Sequence, residues 1–408
     1  MPTTSRPRRL RIGAIGLGRA FTVMLPTFLE DDRVQLVAAT DPRVEARKRF
    51  AADFNAIGYE SVEALCSDPK VEVVYIATPH ELHAEHVRIA AGHGKHVLVE
   101  KPLAITIADC TAMIDAAASA KVHLVVGHSH SFDAPILRAR ALIEEHTYGR
   151  ARMIQMLNYT DFMLRPRRPE ELITARGGGV LFSQAAHQVD IARLLGGGEV
   201  RSVRAVTGNW DPARPSEGAY SALLTFGDGT YASLAYNGYG RFDSDEFTSW
   251  IGEMGAPKDR TRYGAARKAL QYVSSAESEA VIKAARNYGG SAYQPAAPTP
   301  ERQHQHFGLV LISCDQADLR PQPDGVMVYG DTEAKLDPVP LRVPRAEVID
   351  ELYDAVVHDR APLHSGAWAR ATVEVCLAML RSAREAKDVD LQHQVAAAPV
   401  ATVRGGHP

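Results

Sequence analysis

The 408-residue chain has only four cysteines, Cys66, Cys110, Cys314 and Cys376, scattered without a CxxC pair. That scarcity excludes a disulfide framework and any thiolate zinc site, and reduced, packed thiols in a cytoplasmic protein are the expectation. No apolar run approaches the roughly 18 residues needed to span a bilayer. No apolar h-region follows the early arginines of 6–11 (RPRRLR), so neither a membrane span nor a secretory signal is expected. An excess of one charge is also missing. With 46 basic and 49 acidic residues the formal net charge is −3, which gives no hold for nucleic acid or an acidic membrane. What remains is 45% hydrophobic and 23% charged, the composition of a globular enzyme long enough for two or three domains.

The first part of the chain alternates short apolar runs with amphipathic stretches. Strands are expected at 11–15, 34–40, 72–78, 96–100 and 123–127, with helices at 21–30, 43–54, 82–92 and 107–119. Runs such as EVVYIAT are apolar without alternation, as strands buried on both faces should be, so residues 1–130 read as a doubly wound parallel sheet of Rossmann type. Beyond 130 the pattern changes to an α+β domain, 131–394, with a large open, mainly antiparallel sheet. Its strands are expected at 151–160, 200–208, 219–226 and 230–237, the last two joined by a turn at Gly227-Asp228-Gly229. A helix at 180–195 is closed by Gly196-Gly197-Gly198, and helices at 345–358 and 366–387 end the domain. Residues 240–325 read as an insertion holding a charged helix at 262–287. The Ala/Pro/Gly-rich 395–408 reads as a disordered tail.

Strand 11–15 runs into Gly16-Leu17-Gly18-Arg19-Ala20-Phe21. In a Rossmann unit the first glycine permits the turn and the second lets backbone amides approach a pyrophosphate at a helix N-terminus. Phe21 occupies the third glycine position, so the fingerprint is incomplete. Asp41 ends the second strand, where a carboxylate accepts the adenosine ribose hydroxyls and favours NAD over NADP. Arg43 points the other way, since an arginine there could hold a 2′-phosphate. Two further strand ends, Thr78-Pro79-His80 and Glu100-Lys101-Pro102, lie where ligands of open α/β sheets bind, with Pro102 holding Lys101 out of the helical region. Among the 16 histidines, His83 and His86 have an i, i+3 spacing, but no third ligand falls at metal-site spacing and no metal is expected.

The order GLGRA, Asp41, ATPHELHAEHV (77–87), GKHVLVEKPLA (94–104) and GGGVLFSQAAHQVDIARLLGG (177–197) resembles the Gfo/Idh/MocA oxidoreductases. The resemblance covers nearly the whole chain except 240–325. It implies that Lys101 is catalytic beside a nicotinamide, that His187 is the catalytic histidine, and that Thr78, Pro79, His80, His83 and Glu100 join Gly16, Gly18, Arg19, Ala20, Phe21, Asp41 and Arg43 around the cofactor. The family's usual Asp four residues before that histidine is Ser183 here. It also implies a homo-oligomer, dimer or tetramer, formed through the open face of the second-domain sheet. The stretches NYTDFMLRPRRPEEL (158–172), FSQAAHQVD (182–190) and GEMG (252–255) are similar to the branch of the family that dehydrogenates cis-dihydrodiols of aromatic acids such as phthalate.

On the substrate side, Ser183, His187 and Asp190 fall at i, i+4 and i+7, on one face of an α-helix. A hydroxyl, an imidazole and a carboxylate on one stripe suggest a relay in which Asp190 orients His187. Arg165, Arg167 and Arg168, stiffened by Pro166 and Pro169, would form a fork matched to substrate carboxylates. Asn158, Tyr159, His128 and His130 are further candidate contacts. An anionic cyclic diol is the expected substrate. A polyol dehydrogenase of the same family, or a non-catalytic NAD(H) sensor, remains an alternative.

Overall fold

The computed structural model describes residues 8–273, 275–295 and 301–399. They divide into two compact units. The described part of the first comprises 8–128, 281–295 and 342–366, and the remainder forms the second.

In the first unit β1 (Leu10–Ile15), β2 (Val34–Thr40), β3 (Ile57–Tyr59), β4 (Val73–Ile76), β5 (His96–Val99) and β6 (Leu124–Val126) form one parallel sheet, ordered β3-β2-β1-β4-β5-β6. Between them run α1 (Arg19–Glu30), α2 (Val44–Phe54), α3 (Val62–Ser67), α4 (His83–Gly92) and α5 (Ile107–Ala120). Every residue of β4 is buried, which is why its sequence is an unbroken apolar run. Strand order turns back on the two sides of β1, and the crevice beyond the carboxyl ends at such a switch point is the ligand position of this architecture.

The second unit holds α6 (Ala134–Glu144), α7 (Ala186–Leu195) and a nine-stranded sheet. Its strands are β7 (Ala151–Tyr159), β8 (Val200–Gly208), β9 (Ala219–Phe226), β10 (Tyr231–Asn237), β11 (Leu309–Cys314), β12 (Asp318–Gln322), β13 (Gly325–Tyr329), β14 (Ala334–Pro338) and β15 (Val389–Asp390). The order is β14-β13-β12-β11-β7-β10-β9-β8-β15, antiparallel throughout except where β10 lies parallel to β7. One face is buried through Ile154, Met156, Ala205, Leu224 and Leu234; the other leaves Val206, Leu223 and Tyr231 exposed. The β9–β10 turn has Gly229 at φ +92°, a backbone that favours glycine.

Three expectations need correction. The stretch 240–325 is not wholly an insertion, because β11, β12 and β13 extend the main sheet. Their half-buried alternation is short and is broken by Pro321, which masks it in the sequence. The charged helix expected at 262–287 is two shorter ones, α8 (Ala265–Leu270) and α9 (Ala276–Ala285). Segments 281–295 and 342–366, the second containing α10 (Ala346–His358), belong to the first unit although sequence order puts both in the second. The last helix is α11 (Gly366–Glu385). Of the tail, 400–408 lies outside the described residues. Its start is held, since Val395 O accepts from Arg193 Nη2 at 3.4 Å and the Ala397 N–H donates to Gly197 O at 2.9 Å.

Candidate active site

The glycine turn in the first unit fits a dinucleotide. Gly16 has φ +89°, and a Cβ there would lie 2.8 Å from Ala77 O, so only glycine makes this turn. Gly18, the N-cap of α1, has open space where a Cβ would stand. No side chain caps α1 and no acidic residue sits in its first turn, which leaves the helix N-terminus to an anion. Phe21 is not at the surface of this site. It is fully buried, with ring centroids 5.9 Å from Phe50 and 5.4 Å from Tyr288, so its role is in the core.

Asp41 stands at the end of β2 as expected, but its carboxylate is already engaged. Oδ1 accepts the Arg43 N–H and Nε–H, both at 2.9 Å; Oδ2 accepts the Leu17 N–H at 2.8 Å and Arg43 Nη2 at 3.2 Å. Arg43 therefore points inward, onto Asp41, instead of standing ready for a phosphate.

His83 is also corrected from a cofactor contact to a clamp. It is fully buried, with Nε2 3.0 Å from Thr78 O and Nδ1 3.0 Å from Pro102 O, tying the ends of β4 and β5 together. Burial pushes its pKa down, although the carbonyls pull the other way. Glu100 is buried and accepts from the Tyr75 hydroxyl at 2.7 Å; burial raises its pKa. Lys101 follows it at the end of β5, half-buried, ahead of the clamped Pro102 carbonyl. His80 is half-buried, its ring 5.8 Å from that of His83, while His128 is buried beyond β6.

In the second unit the helix expected at 180–195 begins as a π-turn, Leu181–Ala185, before α7. Its i→i+5 pattern breaks the α-helical stripe on which the Ser183–His187–Asp190 relay was drawn. Ser183 Oγ donates to Gly179 O at 2.5 Å. The Asp190 carboxylate is filled by Ser131 Oγ at 2.5 Å, Trp368 Nε1 at 2.6 Å and Thr372 Oγ1 at 2.8 Å. It anchors α7 and does not orient His187. That task falls to a backbone group, because the His130 N–H donates to His187 Nδ1 at 3.3 Å. A neutral His187 thus carries its proton on Nε2.

Around His187 lie Phe307, with centroids 4.9 Å apart, and the His130 ring at 4.8 Å. His130 Nδ1 is 2.7 Å from Asp133 Oδ2, and its Nε2 is 3.5 Å from Glu253 Oε1. Burial disfavours the His130 cation, but Asp133 and Glu253 outweigh it and raise the pKa to about 9. Burial likewise opposes the Glu253 anion, yet His130 and Arg165 hold it down to about 2.

The three arginines of the fork are not equivalent. Arg165 pairs with Asp161 at 3.0 Å, and Arg168 with Glu170 at 3.2 Å and Glu171 at 3.4 Å. Arg167 has no carboxylate at ion-pair distance among the described residues. Its guanidinium lies 3.5 Å over the Phe162 ring and donates to Phe162 O, and its Nε is buried without a hydrogen-bond partner. Burial lowers its pKa to about 10. Asn158 is buried and accepts from Ser244 Oγ at 3.0 Å, while the Tyr159 N–H donates to the same hydroxyl.

Residues 10–128 match the model of the oxidoreductase family with NAD-binding Rossmann fold, and 136–256 match the Gfo/Idh/MocA C-terminal domain. A curated relative, the 1-carboxy-3-chloro-3,4-dihydroxycyclohexa-1,5-diene dehydrogenase of Comamonas testosteroni, is 48% identical over 92% of this chain and 95% of its own. The chain belongs to the Gfo/Idh/MocA oxidoreductase family. It is an NAD-dependent dehydrogenase of that family. Among solved structures, a dehydrogenase from Bordetella bronchiseptica RB50 superposes with a TM-score of 0.88 at 39% identity, covering 94% of this chain and all of the other. The Bordetella pertussis WlbA dehydrogenase, solved with NADH and UDP-GlcNAcA, is similar in fold at a TM-score of 0.65 and 21% identity, over 94% of this chain and 99% of that one. Within this Gfo/Idh/MocA chain, sequence reasoning missed Glu253, Phe307 and Tyr288. Glu253 lay inside the quoted GEMG stretch. Nothing in the local sequence marked the other two.

Proposed function

We propose that this enzyme oxidises a cis-dihydrodiol on a cyclohexadiene carboxylic acid to the corresponding catechol acid, with NAD as the acceptor. Phthalate 4,5-cis-dihydrodiol, giving 4,5-dihydroxyphthalate, is the substrate expected from the sequence. The observation carrying the reading is the 48% identity, over nearly the full length of both chains, to a relative named for a carboxylated cyclohexadiene diol. Arg167 supports it, since a half-buried guanidinium whose Nε is buried and unpartnered suits a carboxylate better than a sugar hydroxyl.

Bound NAD⁺ supplies the hydride-accepting carbon. We assign Lys101 Nζ to take the proton of the hydroxyl whose carbon loses hydride, so that a C=O bond forms as the C–H and O–H bonds break. In the second unit His187, with Nδ1 held by the His130 amide, offers Nε2–H as a donor to a substrate oxygen. Arg167 holds the ring carboxylate. Tautomerisation of the enone to an aromatic catechol then draws the oxidation forward.

The test is to follow NADH absorbance with a panel of carboxylated dihydrodiols, carboxyl-free dihydrodiols and polyols. Turnover of polyols in preference to carboxylated diols would favour the sugar-dehydrogenase reading, and NAD binding without any turnover a sensor. Lys101→Ala should lower kcat by about a thousandfold while leaving NAD affinity nearly unchanged; activity within about tenfold of wild type would remove its catalytic role. The exposed Val206, Leu223 and Tyr231 on the open sheet face fit an interface with a second copy, and sedimentation of a monomer at micromolar concentration would count against that.

A further inference from the structure

We propose that Tyr288, delivered by the segment 281–295, selects NAD over NADP by holding Arg43 on Asp41. The inference rests on the dinucleotide reading of the glycine turn and goes beyond it.

An arginine just past the second strand is the residue type that accommodates a 2′-phosphate in Rossmann domains, and it can do so only when its guanidinium is free to face the ribose. Here the guanidinium is committed on all three nitrogens. Nε and Nη2 hold Asp41, Nη2 also donates to Leu17 O at 2.8 Å, and Nη1 donates to Tyr288 O at 3.0 Å. The first three acceptors belong to the β1 turn and the end of β2. The fourth comes from 245 positions away in the chain. A ribose hydroxyl can share Asp41 by exchanging with one arginine N–H, whereas a 2′-phosphate needs the whole guanidinium turned outward.

The Tyr288 carbonyl is fixed from both sides. The ring is buried, edge-on to Phe21 and stacked with Phe54 at 6.1 Å, and its hydroxyl donates to Asp53 Oδ2 at 2.6 Å. Gly289, at φ +72°, brings the chain so close to α2 that a Cβ would lie 2.9 Å from Ala46 Cα. Phe21, which breaks the glycine fingerprint, is therefore part of the seat for the residue that holds Arg43. Tyr288 is a positioning residue that acts through Arg43.

The experiment measures NADH and NADPH affinity of the full chain by nicotinamide fluorescence, without substrate. Wild type should prefer NADH by about tenfold or more, the range left by an acidic residue at this position. Tyr288→Leu and Gly289→Ala, which move the carbonyl in different ways, should each narrow the NADPH/NADH Kd ratio at least about fivefold, and Tyr288→Phe should leave it within about twofold. In an Arg43→Ala background neither change should move the ratio. Gly289→Ala keeps every side chain of the aromatic cluster, so the test stands even where Tyr288→Leu fails to fold. An unchanged ratio in folded Tyr288→Leu or Gly289→Ala, or the same narrowing without Arg43, overturns the proposal. Equal wild-type affinity for both dinucleotides overturns the proposal alone, whereas binding of neither overturns the dinucleotide reading with it.

Discussion

Replacing Asp133 by asparagine should turn His130 from a cation into a neutral ring at neutral pH. His130 is 1% exposed and faces two carboxylates, Asp133 at 2.7 Å and Glu253 at 3.5 Å, with the His187 ring centroid 4.8 Å away. Arg165 and His306 act in turn on Glu253. Burial alone would push His130 below its ordinary 6.5; Asp133 first and Glu253 second carry it to about 9. At 1.36 kcal/mol per pKa unit, that displacement corresponds to about 3 kcal/mol between the two protonation states.

The sign follows from the direction. A histidine whose pKa is raised by folding stabilises the fold fully below its unfolded value, near 6.5, and loses that contribution as pH rises through about 9. Wild type should therefore lose up to about 3 kcal/mol of stability between roughly pH 6.5 and pH 9.5, and Asp133→Asn should lose little over the same window. Urea melts across the window, read with an NMR titration of the histidine ring protons, measure both quantities. Glu253 behaves oppositely, contributing above its ordinary range near 4.5 and losing its contribution only as pH falls toward about 2. A wild-type His130 that titrates near 6.5, or a urea midpoint that is flat across the window, would refute the charge network. Since the His130 amide holds His187 Nδ1, Asp133→Asn should also lower kcat/KM at neutral pH.

Two further substitutions separate recognition from architecture. Arg167→Met should cut kcat/KM for a carboxylated dihydrodiol by roughly tenfold to a hundredfold, the loss of one charge-assisted contact worth about 1.5–3 kcal/mol, while a carboxyl-free dihydrodiol is hardly affected. Equal losses on both substrates would show that Arg167 does not read the carboxylate. Asp190→Asn should lower stability by about 2 kcal/mol or more, because three donors lose a charged acceptor, yet leave kcat of the folded enzyme close to wild type. Lost turnover at an unchanged melting temperature would restore the relay that the structure argues against.

The parallel sheet was legible because strands buried on both faces are unbroken apolar runs, as in VVYI and HVLV, set between glycine and proline ends. The same logic placed Asp41 and Lys101, since ligands sit beyond strand carboxyl ends. Where one face meets solvent the signal weakened, and β12, with Asp318, Arg320 and Gln322 alternating against Leu319 and Pro321, did not read as a strand. Roles were harder than positions. The pairing of Arg165 with Asp161 and of Arg168 with Glu171 follows i, i+4 and i, i+3 spacing and can be read locally, leaving Arg167 as the arginine with work to do. Asp190 looked like a partner for His187 because helix spacing was known and Trp368 and Thr372 were out of view.

Phe21 shows the limit most clearly. By the fingerprint it stands at the third glycine position and leaves the motif incomplete. In the fold it is a buried ring on which Tyr288 rests, and Tyr288 reaches the arginine on which the choice of dinucleotide turns. A residue that breaks a local rule is explained by its long-range partner, and that partner is invisible until the chain is folded.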